Sequence, residues 1–281
     1  MWLFFTLLSA IFFGVGQVFI KRGLKETTPL FNNILTTIFG FSLMVPFSLS
    51  QGVHFDRILQ IAPLTTIAAL LFLSYYYLIG KGQVSFTGTV IGTYPILTVI
   101  LSLLFLHENP NLFQKLAIIL VVFGTAFIAM PSRLKEFKKI QIGNWFWWAI
   151  CGIFTIGTAD FLIKLLMNQS DLYTYLFTYA FCSMFITGLS FLIDKQGRKL
   201  PPLILKNYLP TLIGAILMEL GFFVFHIALS GGLVSLVSPI GSIYVAITAV
   251  LAWLFLKEKI NIIHFVGIAL ATVGVILVGI V

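Results

Sequence analysis

Charge is what this sequence has least of. Asp, Glu, Lys and Arg make up 9% of its 281 residues, whereas a soluble domain carries roughly a quarter, so there is too little charge to clothe a water-facing surface. With 59% of the residues hydrophobic, no core of a chain this size could bury them all. The fold must be solvated by lipid. Cysteine is nearly absent: Cys151 and Cys182 stand alone in apolar runs, away from any His or Asp with metal-ligand spacing, and read as small lipid- or core-facing residues. Catalytic and nucleotide motifs are missing as well. There is no Gly-x-x-x-x-Gly-Lys-[Ser/Thr] loop, which leaves ATP-driven transport by this chain alone unsupported. Neither a His-Glu-x-x-His zinc motif nor a Gly-x-Ser-x-Gly nucleophile elbow occurs. The sequence argues for a protein that is not an enzyme and needs no metal or cofactor.

Acidic residues are the scarcer charges, 9 against 17 Lys and Arg, for a net charge of +8. The basic residues fall between apolar runs, in clusters such as Arg133-Lys135-Lys138-Lys139 and Lys195-Arg198-Lys199. That reads as loop charge setting membrane orientation, not as a nucleic-acid surface. The opening Met1-Trp2-Leu3-Phe4-Phe5 has no basic stretch ahead of its apolar run and no small-x-small cleavage pattern. The first helix is therefore expected to be retained and not removed as a signal peptide.

Spanning a ~30 Å hydrocarbon layer takes ~20 apolar helical residues, and ten such segments are present: 3–22, 30–50, 61–80, 85–106, 112–130, 145–167, 172–193, 208–229, 234–256 and 261–281. Charges and prolines mark the boundaries, the faintest being Ser230-Gly231-Gly232 between the eighth and ninth segments. The expected fold is an all-α membrane protein of ten transmembrane helices.

Sliding the sequence against itself by 150 residues aligns 82–124 with 232–274 without a gap. Gly82/Gly232, Ser85/Ser235, Tyr94/Tyr244, Thr98/Thr248, Glu108/Glu258, Asn111/Asn261 and Gly124/Gly274 match. Paired Gly, Ser, Tyr, Glu and Asn are not what apolar composition alone produces, so this is an internal repeat. The first helices align instead at a shift of 143, pairing Gly14 with Gly157, Gln17 with Asp160 and Lys21 with Lys164. The domain organisation read from this is a first five-helix repeat over 1–130, a basic linker over 131–144 and a second repeat over 145–281. Five is odd, so the two repeats should face opposite ways. Inverted repeats are a transporter signature, with the substrate site near the midplane where they meet.

Several stretches resemble the drug/metabolite transporter superfamily, in its ten-helix, two-repeat EamA-type members. They are Tyr94-Pro95, Leu101 to Phe105 and Leu106-His107-Glu108 followed by Gly124, and Ser238-Pro239, Leu254-Phe255-Leu256-Lys257-Glu258 followed by Gly267 and Gly274. Phe13-Gly14-Val15-Gly16-Gln17 and Ile156-Gly157-Thr158-Ala159-Asp160 are similar to the family's entry motif, without its Trp. Val245 stands where the first repeat has Pro95, with Pro239 six residues earlier. The resemblance implies an integral, multi-pass protein of a prokaryotic plasma membrane. It leaves the substrate open, since members export amino acids and other metabolites, carry nucleotide sugars or take up organic cations.

Few residues could carry chemistry inside the membrane. Glu219 lies near the middle of the eighth segment, where a carboxylate costs ~3 kcal/mol on insertion scales, so it should be protonated, paired or facing a wet cavity. His226 follows by two helical turns and projects from the same face; a structural pair of the two is the plainer alternative. Asp160 precedes Lys164 by four residues, the spacing of an intrahelical ion pair, yet its repeat partner Gln17 is also polar and intramembrane. Tyr75, Tyr76, Tyr94, Tyr179 and Tyr244 could line an aromatic cavity suited to cations or apolar side chains, and Tyr76 is the choice from the run Tyr75 to Tyr77. The candidate substrate site is thus Gln17, Tyr76, Tyr94, Asp160, Glu219, His226 and Tyr244, with Glu219 or Asp160 as proton-coupling groups. Glu108 and Glu258 read as capping or pairing residues at helix ends.

The leading functional expectation is a secondary transporter exporting a small amphipathic, amino-acid-like metabolite, with protons as coupling ion and a monomer sufficient. Uptake of an organic cation is the second reading. A membrane enzyme or a non-transporting assembly factor is the reading from another class. On orientation, the loops after odd-numbered helices hold 14 Lys and Arg and those after even-numbered ones 3, which places both termini outside the cytoplasm. The resemblance implies the opposite.

Overall fold

A computed structural model describes residues 1–81, 91–128, 130, 144–199, 205–256 and 261–280. Regular structure among them is entirely helical: α1 (Trp2–Gly23), α2 (Pro29–Gln51), α3 (Phe55–Lys81), α4 (Pro95–Phe105), α5 (Leu112–Ile128), α6 (Asn144–Gln169), α7 (Leu172–Ile193), α8 (Leu205–Gly231), α9 (Val234–Gly241), α10 (Tyr244–Leu256) and α11 (Ile262–Ile280). Among the described residues, eight spans are long and apolar enough to cross a bilayer, one of them, Val234–Leu251, running from α9 into α10; α4 and α5 are shorter apolar helices. The start of the expected fourth segment, most of the basic linker, and Lys257-Glu258-Lys259 lie outside the described residues.

Local chemistry explains where these helices begin. Thr28 caps α2, its hydroxyl accepting from the Phe31 amide at 3.2 Å with Pro29 in the first turn, where a missing N–H costs nothing. Asp171 caps α7 by accepting from the amides of Tyr173 and Thr174 at 2.8 and 2.9 Å. Asn111 and Gln114 exchange two 2.9 Å bonds at the head of α5, a reciprocal cap that satisfies two otherwise orphan donors. α3 starts six residues before the expected 61, because Asp56 in its first turn suits the positive end of a helix.

The distribution of side chains is that of a protein dissolved in lipid. Phe4, Leu104, Phe123, Phe185 and Ile276 point outward and are more than half exposed, while Thr6, Ser9, Asn32, Thr98 and Ser102 are buried. With backbone groups satisfied within helices, such a surface is at home in hydrocarbon. The protein is an integral, multi-pass membrane protein.

Helix contacts cross between the aligned stretches. α1 packs on α8 and α10, α6 packs on α3 and α4, α2 packs on α7, and α5 packs on α11. The pairings are reciprocal at the atomic level. Thr98 Oγ1 donates to the Gly157 carbonyl at 3.1 Å, and Thr248 Oγ1 donates to the Gly14 carbonyl at 3.2 Å. Neither glycine has room for a side chain: a Cβ on Gly157 would stand 2.9 Å from the Tyr94 carbonyl oxygen, and one on Gly14 would stand 2.6 Å from Ile247 Cγ2. Small residues here let the helix backbones approach closely.

The described connections gather at two ends. At the terminal end, Gly232 lies against Trp2, the His54 amide donates to Thr174, and Arg57 donates to the Ser170 carbonyl. At the other end Thr28 donates to the Gly197 carbonyl and Tyr77 to Asp194. Lys21, Arg22, Lys25, Lys195, Arg198 and Lys199 lie at this second, basic end.

Candidate functional site

Turns occur at two positions that the 150-residue shift makes equivalent. Turns at 92–94 separate Ile91 from α4, and turns at 242–243 separate α9 from α10. The ladder tightens there to three-residue bonds: Tyr94 N to Ile91 O at 2.9 Å and Leu97 N to Tyr94 O at 3.0 Å in one, Val245 N to Ser242 O at 3.0 Å and Ala246 N to Ile243 O at 2.8 Å in the other. The second break forms without a proline at the site of Pro95; Pro239 and the hydroxyl of Ser242, which donates to the Pro239 carbonyl at 2.6 Å, serve instead. Each break leaves a tyrosine, Tyr94 or Tyr244, at the head of a half-helix facing the protein centre.

Those tyrosines and the intramembrane polar pair meet around one cavity. It is lined by Gln17, Tyr75, Tyr94, Asp160, Tyr244 and six aromatic or apolar neighbours including Phe72 and Phe222, the mix of apolar walls and a few polar groups that small-molecule sites show. Asp160 is 2% exposed, and its Oδ2 accepts from the Ser238 hydroxyl at 2.6 Å; Ser238 lies beside Tyr94. On the facing wall the Gln17 amide is hydrogen-bonded to the Tyr75 hydroxyl, which lies beside Tyr244. Gln17 and Asp160, paired in sequence, thus stand in matching relation to Tyr244 and Tyr94.

A second chamber, with about 450 Å³ of empty volume, holds Glu219 and Tyr76 together with Asn33, Thr36, Thr37, Ser183, Thr187 and Tyr179. Gly40 of α2 gives the carboxylate its space, since a Cβ there would stand 2.6 Å from Glu219 Oε2. Phe72 and Phe222 line both chambers. Their rings meet edge to face, centroids 5.0 Å apart, and form the wall between them.

The seven sequence candidates therefore divide. Gln17, Tyr94, Asp160 and Tyr244 share the first cavity, and Tyr76 and Glu219 share the second. His226 lines neither: it is fully buried between Tyr175 and Tyr179, with ring centroids 5.5 and 5.7 Å away. The structural pair of Glu219 with His226 is not formed either. Nor is the ion pair suggested by the spacing of Asp160 and Lys164, because each finds a better tertiary partner. Lys164 Nζ donates to the Leu229 carbonyl at 2.7 Å, at the C-terminal end of α8, where a cation is favourable.

Glu108 is a structural anchor. Its carboxylate accepts from the Val234 amide at 2.8 Å, the Ser235 amide at 2.9 Å and the Ser235 hydroxyl at 2.5 Å, capping α9 from another part of the chain. His107, at φ 52°, makes the tight turn that brings it there. Glu258, its repeat partner, lies outside the described residues.

Sequence reasoning passed over Ser238, Gly40, Phe72 and Phe222. Ser238 stood in the family-like Ser238-Pro239 stretch and could have been found by asking what faces an intramembrane Asp. The two phenylalanines are among 29, and nothing local distinguishes them. Tyr75 was named as a possible lining residue but set aside for Tyr76; α3 presents both, one to each chamber.

Comparison with known proteins agrees with this architecture. The model of the EamA-like transporter family matches residues 1–130 and 143–280. An uncharacterized protein of Methanocaldococcus jannaschii is 32% identical over 130 residues, which are 45% of this chain and 94% of that protein. A protein of known crystal structure superposes with a TM-score of 0.74 at 14% identity, covering 98% of this chain and 96% of that one. At that identity the likeness is one of fold.

Proposed function

Because the chain belongs to the EamA-like transporter family, we propose that it is a secondary active transporter that exports a small amphipathic, amino-acid-like metabolite across a prokaryotic plasma membrane. The reading includes two inverted five-helix repeats, residues 1–130 and 145–281 joined by a basic linker, rocking about a central site by alternating access. The reciprocal bonds of Thr98 with Gly157 and Thr248 with Gly14 support it. So does a relative that matches less than half of this chain yet is covered almost whole.

One observation carries the substrate reading. The cavity joins the buried Asp160 carboxylate to the heads of two half-helices, marked by Tyr94 and Tyr244. A carboxylate suits an ammonium group, and half-helix N-termini suit a carboxylate, so the two ends of an amino acid would each find a partner. Aromatic walls suit its side chain. Glu219, in the neighbouring chamber, is the proposed proton carrier.

The second reading, an organic cation, is favoured by a separate observation. Neither chamber has a Lys or Arg among its lining residues, while tyrosine and phenylalanine faces with one carboxylate are what a quaternary amine prefers. A thermal-shift screen of the purified protein against amino acids, quaternary amines, nucleosides and sugars separates the readings. A ligand at a hundredfold excess over its Kd stabilises the native state by about 2.7 kcal/mol. Stabilisation by amino acids supports the first reading and by quaternary amines alone the second. Stabilisation by nucleosides or sugars only would contradict both.

A further inference from the structure

Six buried side-chain nitrogen and oxygen atoms lack a hydrogen-bond partner among the described residues: Asn32 Oδ1, Ser48 Oγ, the Tyr76 and Tyr175 hydroxyls, and both ring nitrogens of His226. Four of the six belong to one level of the bundle. Ser48 is three residues from the end of α2, Tyr175 three from the start of α7, and His226 five from the end of α8. At 1.5 Å per residue each is about 5–8 Å from its helix end. The three helices pack on one another, and the ends concerned are all at the terminal face.

Leaving a buried polar atom unpaired costs ~1–3 kcal/mol, so four at one level require an explanation. Chance misfit is a poor one, because the same helices satisfy their other polar groups: Thr174 accepts from His54, and Thr178 donates to the Thr174 carbonyl at 2.8 Å. The Phe222 carbonyl lies near the imidazole and Thr36 near the Tyr76 hydroxyl, but neither contact reaches ordinary hydrogen-bond geometry. A partner that can both donate and accept and that fits between side chains is water, and buried water makes two to four such bonds.

The level adjoins the Glu219 chamber through Tyr179. Tyr179 lines that chamber, and its ring stacks on Tyr175 at 5.9 Å and meets His226 at 5.7 Å. Tyr76, whose hydroxyl is also unpaired, is in the chamber itself. The first cavity is shut off from it by Phe72 and Phe222.

We infer that the His226 level is a hydrated polar site, holding bound water between Tyr175 and His226, and that it links the Glu219 chamber to the terminal face as a proton route separate from the substrate cavity. The proton-route part rests on the transport reading above; the hydration does not. The titratable groups facing His226 are Tyr175 and Tyr179 of α7; Glu219 is two turns back on its own helix, and Asp160 of α6 acts on Tyr175. A proton taken up at one ring nitrogen and released from the other leaves the imidazole neutral, with its tautomer exchanged.

Hydroxyl-radical footprinting of the wild-type protein in lipid nanodiscs tests the hydration directly, since bound water generates the radical in place. After correction for intrinsic reactivity, Tyr175 and His226 are expected to oxidise at least about fivefold faster than Leu166 and Leu176, which are equally buried and carry no polar side-chain atom to hold a water. Rates equal to those leucines would overturn the inference, whatever the protein transports. A second arm uses Tyr175→Phe in proteoliposomes with the ligand found by thermal shift. The variant should keep ligand counterflow, which needs no net proton movement, and lose about tenfold in pH-gradient-driven flux. Unchanged gradient-driven flux would remove the route while leaving the transport reading intact; absence of any flux in the wild type would remove the transport reading and leave the footprint to stand or fall alone.

Discussion

The Ser238 hydroxyl donates a 2.6 Å hydrogen bond to the carboxylate of Asp160, tying broken α9 to α6 at the edge of the central cavity. Both residues are at most 2% exposed, so the bond cannot be replaced by bulk water. Ser238→Ala should weaken binding of an amine-bearing ligand by roughly tenfold, the equivalent of 1.4 kcal/mol. Ser238→Thr, which retains the hydroxyl, should bind as the wild type does. Isothermal titration of the purified variants reads the difference, and equal affinities for Ala and wild type would detach Ser238 from the site.

Glu219 can serve as a proton carrier only by changing charge, and an amide cannot. Glu219→Gln is therefore expected to abolish flux driven by a pH gradient while leaving the fold and ligand counterflow intact. Normal gradient-driven flux in that variant would transfer the role to Asp160, the other intramembrane carboxylate.

The crossings at Gly157 and Gly14 should both be intolerant of a side chain. A methyl group on Gly157 meets the backbone carbonyl of Tyr94 and Leu97 Cβ at 2.9 Å, and one on Gly14 meets Cγ2 and Cβ of the β-branched Ile247 at 2.6 and 2.7 Å; none of these atoms can step aside without moving a backbone. Gly157→Ala and Gly14→Ala should each cost about 1–3 kcal/mol. Gly188→Ala, which meets nothing within 4 Å, should be neutral or stabilising. Melting temperatures in detergent give the order, and a Gly188→Ala protein as destabilised as Gly157→Ala would refute the close-approach argument.

Orientation follows from the charges at the basic end. Arg198 and its neighbours Lys195 and Lys199 are exposed between α7 and α8, and the positive end is expected on the cytoplasmic side. In a background without Cys151 and Cys182, Lys195→Cys should resist a membrane-impermeant maleimide until cells are permeabilised. Gln51→Cys, exposed at the terminal end, should label at once. The reverse pattern would place the termini in the cytoplasm.

Helix placement was legible because it depends on short-range composition: lipid as solvent needs long apolar runs, and caps such as Thr28 and Asp171 announce themselves. The repeat alignment set Gln17 against Asp160 and Tyr94 against Tyr244, and these four residues line one cavity; repetition carries spatial information that a single segment does not. Rotation and depth were not. His226 does share a helix face with Glu219, but seven residues are ~10 Å along the axis. That distance carries it beyond the chamber and against Tyr175 and Tyr179. The expected Asp160–Lys164 pair failed for a related reason: a four-residue spacing says two groups can meet, and says nothing of Ser238 or the Leu229 carbonyl arriving from other helices. Phe72 and Phe222 became a partition only through the rotation of α3 and α8.

The most direct test of the central claim, that a small amphipathic molecule crosses through the Asp160 cavity, is counterflow of radiolabelled metabolites in proteoliposomes, run side by side for wild type and Asp160→Asn. The account predicts saturable exchange of an amino-acid-like or amine-bearing compound by the wild type, falling at least about tenfold in Asp160→Asn as the ammonium loses its partner. Exchange that is equal in the two proteins, or no exchange of any compound in a broad panel by the wild type, would contradict it.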